Sequence, residues 1–316
     1  MGELNLNQRA ARVAEELVQR ADALGVAVHH VGGATVIDAG VKQPGSPGAG
    51  LMLARACLAD LGTVQLVPGR VNATPLPAVA VSVDQPVAAC LASQYAGWQI
   101  SAGKYFAMGS GPMRAAYGKE ELFKDIGLRE PDSPVAVGVL EGKLPAEEAV
   151  AMIAQKCRVA APNLTLLCAR TASLAGCVQI VARSVETALH KLHALKFDLS
   201  RIVAGFGVAP LPPVARDDLA GVGRTNDAVL YGAEVTLYVT GDDDSLADAA
   251  RQLPSLASKD YGRPFGEVFA RAGHDFYKID PMLFSPAAVC LQNVSTGRSH
   301  AHGAVNPDVL AESFFG

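Results

Sequence analysis

A single tryptophan, aromatic residues at 6% and charged residues at 18% leave this 316-residue chain poorly supplied for a charged recognition surface. Nucleic acid and anionic membranes are held by clustered Lys and Arg, and a net charge of −4 offers no broad basic face. Neither partner is expected. The first ten residues lack the basic segment and apolar run of a secretory signal, and Leu6 stands where a myristoylation motif needs Ser or Thr. No uninterrupted apolar run reaches the ~18 residues of a membrane span. A cytoplasmic location follows as the expectation. The six cysteines form no C-x-x-C pair, which disfavours zinc and thioredoxin-like chemistry and predicts reduced thiols acting as small buried hydrophobes. There is neither the Gly-Lys-Ser/Thr ending of a P-loop nor a G-x-G-x-x-G turn, so an NTPase or dehydrogenase is disfavoured as well.

What the chain does have is apolar bulk: half of its residues are hydrophobic, and with so few aromatics the core must be filled by Ala, Val and Leu. At this length two domains are expected, residues 1–130 and 131–316 with room for their segments to interleave, and with linker candidates at Leu128 to Pro134 and at Val208 to Val222, the second equally readable as a loop lining a cleft. Ala10, Val13, Leu17, Ala21 and Leu24 recur at helical steps and predict a helix over residues 8–24. Gly32-Gly33 between two β-favouring runs predicts a hairpin, with His29 and His30 on opposite faces. Further strands are expected at Ala78 to Asp84, Val135 to Leu140, Leu164 to Ala169, Ile202 to Gly207 and Val229 to Val239. Helices are expected at Leu51 to Leu61, from Pro86 onward, and at Pro145 to Cys157, Ser173 to Leu195 and Ser245 to Leu253. The fold class is therefore α+β, mixed helices and sheets.

Several polar groupings have two readings each. Arg183 and Glu186 lie one turn apart beside a stripe of Val178, Val181, Val185, Leu189 and Leu192; spacing alone favours an ordinary surface ion pair over a catalytic pair. Glu186, His190 and His193 share that face and are a metal-ligand alternative, though without the tight motif of metallohydrolases. Gly45 to Gly50 and Gly109-Ser110-Gly111-Pro112 each precede a helix and are either tight turns or anion-binding backbone; Arg114 tips the second toward a ligand site. Gln94-Tyr95-Ala96-Gly97-Trp98 is either core or a platform on which a flat heterocycle stacks. Gly223-Arg224-Thr225-Asn226-Asp227 is a polar turn or a set of ligand donors and acceptors, and His300 and His302 read as exposed and without a partner.

Taken in order, six stretches resemble the methenyltetrahydromethanopterin cyclohydrolase family: Ala34 to Gly40, Ser93 to Trp98, Met108 to Arg114, Val178 to Glu186, Ala209 to Pro213, and Gly223 to Asp227 with Tyr231-Gly232. The resemblance covers nearly the whole chain. It implies two domains with a pterin pocket between them, a homotrimer, and hydration of 5,10-methenyltetrahydromethanopterin to the N5-formyl product in one-carbon metabolism, with no metal or other cofactor. It assigns catalysis to Arg183 and Glu186 and makes Gln94, Tyr95, Trp98, Ser110, Gly111, Arg114, Thr225, Asn226 and Asp227 the candidate substrate-binding residues. Two other classes remain as alternatives, a metal-dependent hydrolase on Glu186, His190 and His193, and a pterin-binding protein without catalysis.

Overall fold

Gly32 and Gly33 both take positive φ angles, 55° and 87°, a backbone that residues with a Cβ rarely adopt. They turn β1 (Ala27–Val31) back onto β2 (Ala34–Asp38) as an antiparallel hairpin. The remaining strands are β3 (Gly62–Val71), β4 (Thr74–Val83), β5 (Trp98–Ala102), β6 (Tyr105–Ser110), β7 (Ala136–Glu141), β8 (Leu164–Ala169), β9 (Ile202–Pro210), β10 (Glu234–Val239), β11 (Ala288–Asn293) and β12 (Ser299–Gly303). The computed structural model describes residues 4–316. Two six-stranded sheets result, ordered β1-β2-β8-β7-β6-β5 and β12-β11-β10-β9-β4-β3, each mixing parallel and antiparallel pairs. With helices on each, this is an α+β architecture.

The chain divides into two compact units, one of residues up to Gly62 together with Ala88–Gln179, the other of Thr63–Val87 with Ile180–Gly316. A single cut after residue 130 does not describe it. β4 pairs with β9 from Ala78 opposite Pro210 to Val83 opposite Gly205, so an early hairpin belongs with the late half of the chain. The expected linker at Val208 to Val222 is also structured, holding the end of β9 and the start of a helix, Asp218–Leu230. Asp217 caps that helix by accepting from the Ala220 N–H at 2.9 Å.

In the first unit, strand alternation sorts the core into two layers. Ile37, Val137, Val139, Leu167 and Ala169 point to one face, where helices Leu6–Gln19 and Pro47–Cys57 pack. Val36, Ala136, Leu140, Leu166 and Cys168 point to the other, against helix Glu147–Cys157. In the second unit, helix Ser184–Ala194 lies on β9 and β10. Phe206 and Tyr238 point from the opposite face of that sheet and stay 41% and 38% exposed.

Three expected elements differ. The helix over Ser173 to Leu195 is two, Leu174–Val181 and Ser184–Ala194, broken at Ala182-Arg183. The segment after Pro86 is a π-helix, Val87–Gln94, in which Tyr95 N–H donates to Cys90 O at 2.8 Å. The strand expected from Val229 begins only at Glu234. The six cysteines are not joined in disulfides; five are buried and Cys290 is half-buried. His300, expected to be without a partner, sits 3.0 Å from Asp243 Oδ1 through Nε2, while His302 is exposed. Among the described residues no helix is long and apolar enough to cross a membrane.

Candidate active site

The break at Ala182-Arg183 puts both charged residues of interest at a helix start. Arg183 occupies the N-cap position, and its carbonyl accepts from the Thr187 N–H and hydroxyl, each at 2.8 Å. Glu186 falls in the first turn, where the exposed N–H groups of the helix favour a carboxylate. Arg183 is 7% exposed and Glu186 5%, so the reading of an exposed, weak ion pair does not hold. Ordinary surface charges are not buried in this way; a guanidinium and a carboxylate withdrawn from water together need each other or other polar partners. Among the described residues no three His, Cys, Asp or Glu side chains form a metal-binding group, and this includes Glu186, His190 and His193.

The candidates in the first unit gather around the end of the π-helix. Gln94 ends the π-helix and is fully buried, and Tyr95 beyond it is half-buried. Ser93 donates its hydroxyl to Cys57 O and accepts the Gly111 N–H at 2.9 Å, tying the π-helix to the loop after β6. Ser110 is buried with its hydroxyl 3.3 Å from Val139 O, and Gly111 takes φ 87°, which accounts for glycine there. Two candidates are absorbed by the fold. Arg114 is completely buried; Nε and Nη2 hold Glu120 at 3.0 and 2.6 Å, Nη1 donates to the Leu91 and Ser93 carbonyls, and the guanidinium lies over the Tyr95 and Phe123 rings. It is a structural cation for the π-helix rather than an anion site. Trp98 is 4% exposed and stacks on Tyr117 with ring centroids 4.6 Å apart, with Lys156 over both rings. Its stacking partner is its own chain.

Thr225, Asn226 and Asp227 form no turn; they lie inside helix Asp218–Leu230. The Thr225 hydroxyl donates to Gly221 O at 2.8 Å and Asn226 Nδ2 to Val222 O at 2.9 Å, both one turn back, so the helix absorbs their polar groups. Asn226 alone of the three is not fully buried. Asp227 Oδ1 accepts the Phe265 N–H at 2.7 Å, and burial, aided by nearby Glu312, pushes its carboxyl up to about 7 against the pull of Ser313 and that N–H.

Two buried polar residues had escaped the sequence reading. Asp38, at the end of β2, collects the N–H groups of Gly40, Val41, Lys42 and Gln43 and so shapes the loop that leads to the Ser46 cap. An Asp followed by Ala-Gly is the visible signal for such a loop. Lys191 is 1% exposed and donates Nζ to Pro254 O and Met282 O at 2.8 and 2.7 Å; burial lowers it to about 8, partly opposed by Asp280. Placed mid-helix among hydrophobes, it gave no sign of its partners in sequence.

The family model described as Cyclohydrolase (MCH) matches residues 5–314. Among curated proteins, the methenyltetrahydromethanopterin cyclohydrolase of Rhodopirellula baltica is 49% identical over 289 residues, covering 90% of this chain and 87% of that protein. The protein of the same name from Methylobacillus flagellatus is 46% identical over 312 residues, covering 98% and 95%, and that of Xanthobacter autotrophicus 47% identical over 317 residues, covering 99% and 94%. With identity of this order sustained from end to end, the chain belongs to the methenyltetrahydromethanopterin cyclohydrolase family.

Proposed function

We propose that this chain hydrates the methenyl bridge of 5,10-methenyltetrahydromethanopterin to N5-formyltetrahydromethanopterin, with Glu186 and Arg183 as the catalytic pair. The observation that carries the reading is the full-length likeness to proteins bearing that name, joined to a carboxylate and a guanidinium buried at one helix start. The bridge is an amidinium-like cation, so its carbon is already electrophilic. What it needs is a positioned water and a base, not a Lewis acid or a redox partner. Glu186 takes a proton as water adds to the bridge carbon, giving a neutral hydroxyl adduct. The carboxylic acid then returns that proton to the departing nitrogen while the adduct's hydroxyl proton leaves and the C–N bond breaks; one proton is released overall. Arg183, one turn away, favours the ionised carboxylate between turnovers, as does the helix start.

Of the substrate-binding candidates, Trp98, Arg114, Thr225 and Asp227 act through the fold, and Gln94, Tyr95, Ser110, Gly111 and Asn226 are kept as candidates for contact with the pterin. No resident metal or cofactor is required by this chemistry. We place the enzyme in the cytoplasm and infer a homotrimer, the assembly being the part that the exposed Phe206 and Tyr238 support.

The test is Glu186→Gln, which keeps size and hydrogen bonding but removes the base. Decay of methenyl absorbance under single turnover is expected to slow by about a hundredfold or more while substrate still binds. A variant that keeps a sizeable fraction of wild-type turnover would show that water is activated elsewhere.

A further inference from the structure

The helix that carries Arg183 and Glu186 begins against the face of β9 on which two glycines stand. Gly205 and Gly207 are two residues apart and so face the same side of the sheet. A Cβ built on Gly205 would stand 2.7 Å from Val185 Cγ1 and 3.2 Å from Leu237 Cδ2. One on Gly207 would stand 2.5 Å from Ser184 Oγ, 3.1 Å from Val185 Cγ2 and 3.2 Å from Ser184 Cβ. Carbon atoms pack best at roughly 3.5–4.0 Å, so the approaches at 2.7 and 2.5 Å require a shift, and those at 3.1–3.2 Å require the neighbours to give way a little. Neither glycine has a positive φ, which means that the backbone conformation does not call for glycine at either place. The space does. Glycine inside a strand weakens it, and close approach of another element is the usual reason for finding it there.

Ser184 and Val185 are the two residues between Arg183 and Glu186. We propose that Gly205 and Gly207 form a slot that sets the depth at which this first helical turn seats, and so act as positioning residues for the reaction of Arg183 and Glu186. The inference rests on the catalytic reading above. Val185 is β-branched and stiff at χ1, so it does not swing aside from an added methyl group. Leu189 and Leu192, both fully buried, hold the rest of the helix in place. A methyl group on either glycine is therefore relieved by lifting the first turn, and the two catalytic side chains move with it. Displacements of about 1 Å at a reacting centre cost up to roughly a hundredfold in rate.

The experiment measures steady-state decay of methenyltetrahydromethanopterin absorbance, with thermal melts alongside, for Gly205→Ala, Gly207→Ala, Gly205→Ala with Val185→Ala, and Glu186→Gln. Each glycine variant is expected to lose roughly tenfold or more in kcat with KM changed less than about threefold. Val185→Ala removes both methyl groups that face the slot, so the double variant regains most of the lost kcat. Wild-type kcat in both glycine variants, or a loss that comes with a collapsed melt and no recovery in the double variant, overturns the slot. Full turnover in Glu186→Gln instead overturns the catalytic reading, and the slot's role with it; an inactive Glu186→Gln beside fully active glycine variants overturns the slot alone.

Discussion

Asp227 keeps its carboxyl in a helix interior, bonded to the Phe265 N–H and sealed from water, and its pKa is raised to about 7 chiefly for that reason. An unfolded Asp titrates near ~3.9, so between about pH 4 and 7 the folded chain binds the extra proton. Stability from this group is complete below pH 4 and is lost as the pH climbs through 7. Asp227→Asn holds the neutral form at every pH and keeps an oxygen for Phe265. Its melting temperature relative to wild type is expected to rise from pH 5 to about 7 and to level off above that. A difference that stays flat across that range means the carboxyl is ionised when folded at all of them. The same residue shows what a sequence hides: Gly223 to Asp227 has the composition of a turn, and only the packing of its helix on Phe265–Arg271, close at Gly223 and Gly266, decides otherwise.

Among elements, the π-helix Val87–Gln94 is the one most dependent on a distant side chain. Arg114 Nη1 takes up the carbonyls of Leu91 and Ser93 near its end, and Glu120 holds the guanidinium in place. Arg114→Met leaves both carbonyls and Glu120 without that donor. A melting temperature about 5 °C or more below wild type is expected, since breaking a buried ion pair costs several kcal/mol. An unchanged melt would show that the π-helix is held by its own backbone. Elements whose cause is local were legible in the sequence. The Gly32-Gly33 hairpin, β8 and the helix closing at Cys157 follow from turn chemistry and periodicity. The two-part helix around Arg183, the π-helix and the partner strands of β4 depend on contacts far away in sequence, and no window of neighbouring residues records them. Of the candidate site, the buried charges of Arg183 and Glu186 were visible as types at a spacing, whereas the roles of Trp98 and Arg114 turned on Tyr117 and Glu120.

For the whole molecule, the exposed sheet face of Phe206 and Tyr238 is the surface on which trimer assembly is expected to depend. Light scattering is expected to give about three times the 32.8 kDa of one chain for wild type and a mass approaching one chain for Phe206→Glu. An unaltered mass places the contact on another surface. The path of the chain carries a further consequence. The β3–β4 hairpin is made early, yet β4 hydrogen-bonds to β9, which follows only after more than a hundred further residues. At the ~5–20 residues per second of synthesis, a nascent chain holds that ribbon without its neighbour for roughly ten seconds. During that wait its free edge is guarded by its own prolines: Pro75 and Pro77 in β4 have no N–H to offer a foreign strand, and the Pro77 carbonyl accepts the Leu211 N–H once β9 has arrived. Ribosome pausing in the stretch between the two strands thus lengthens the interval in which this ribbon is open to pairing with a neighbour on the same message.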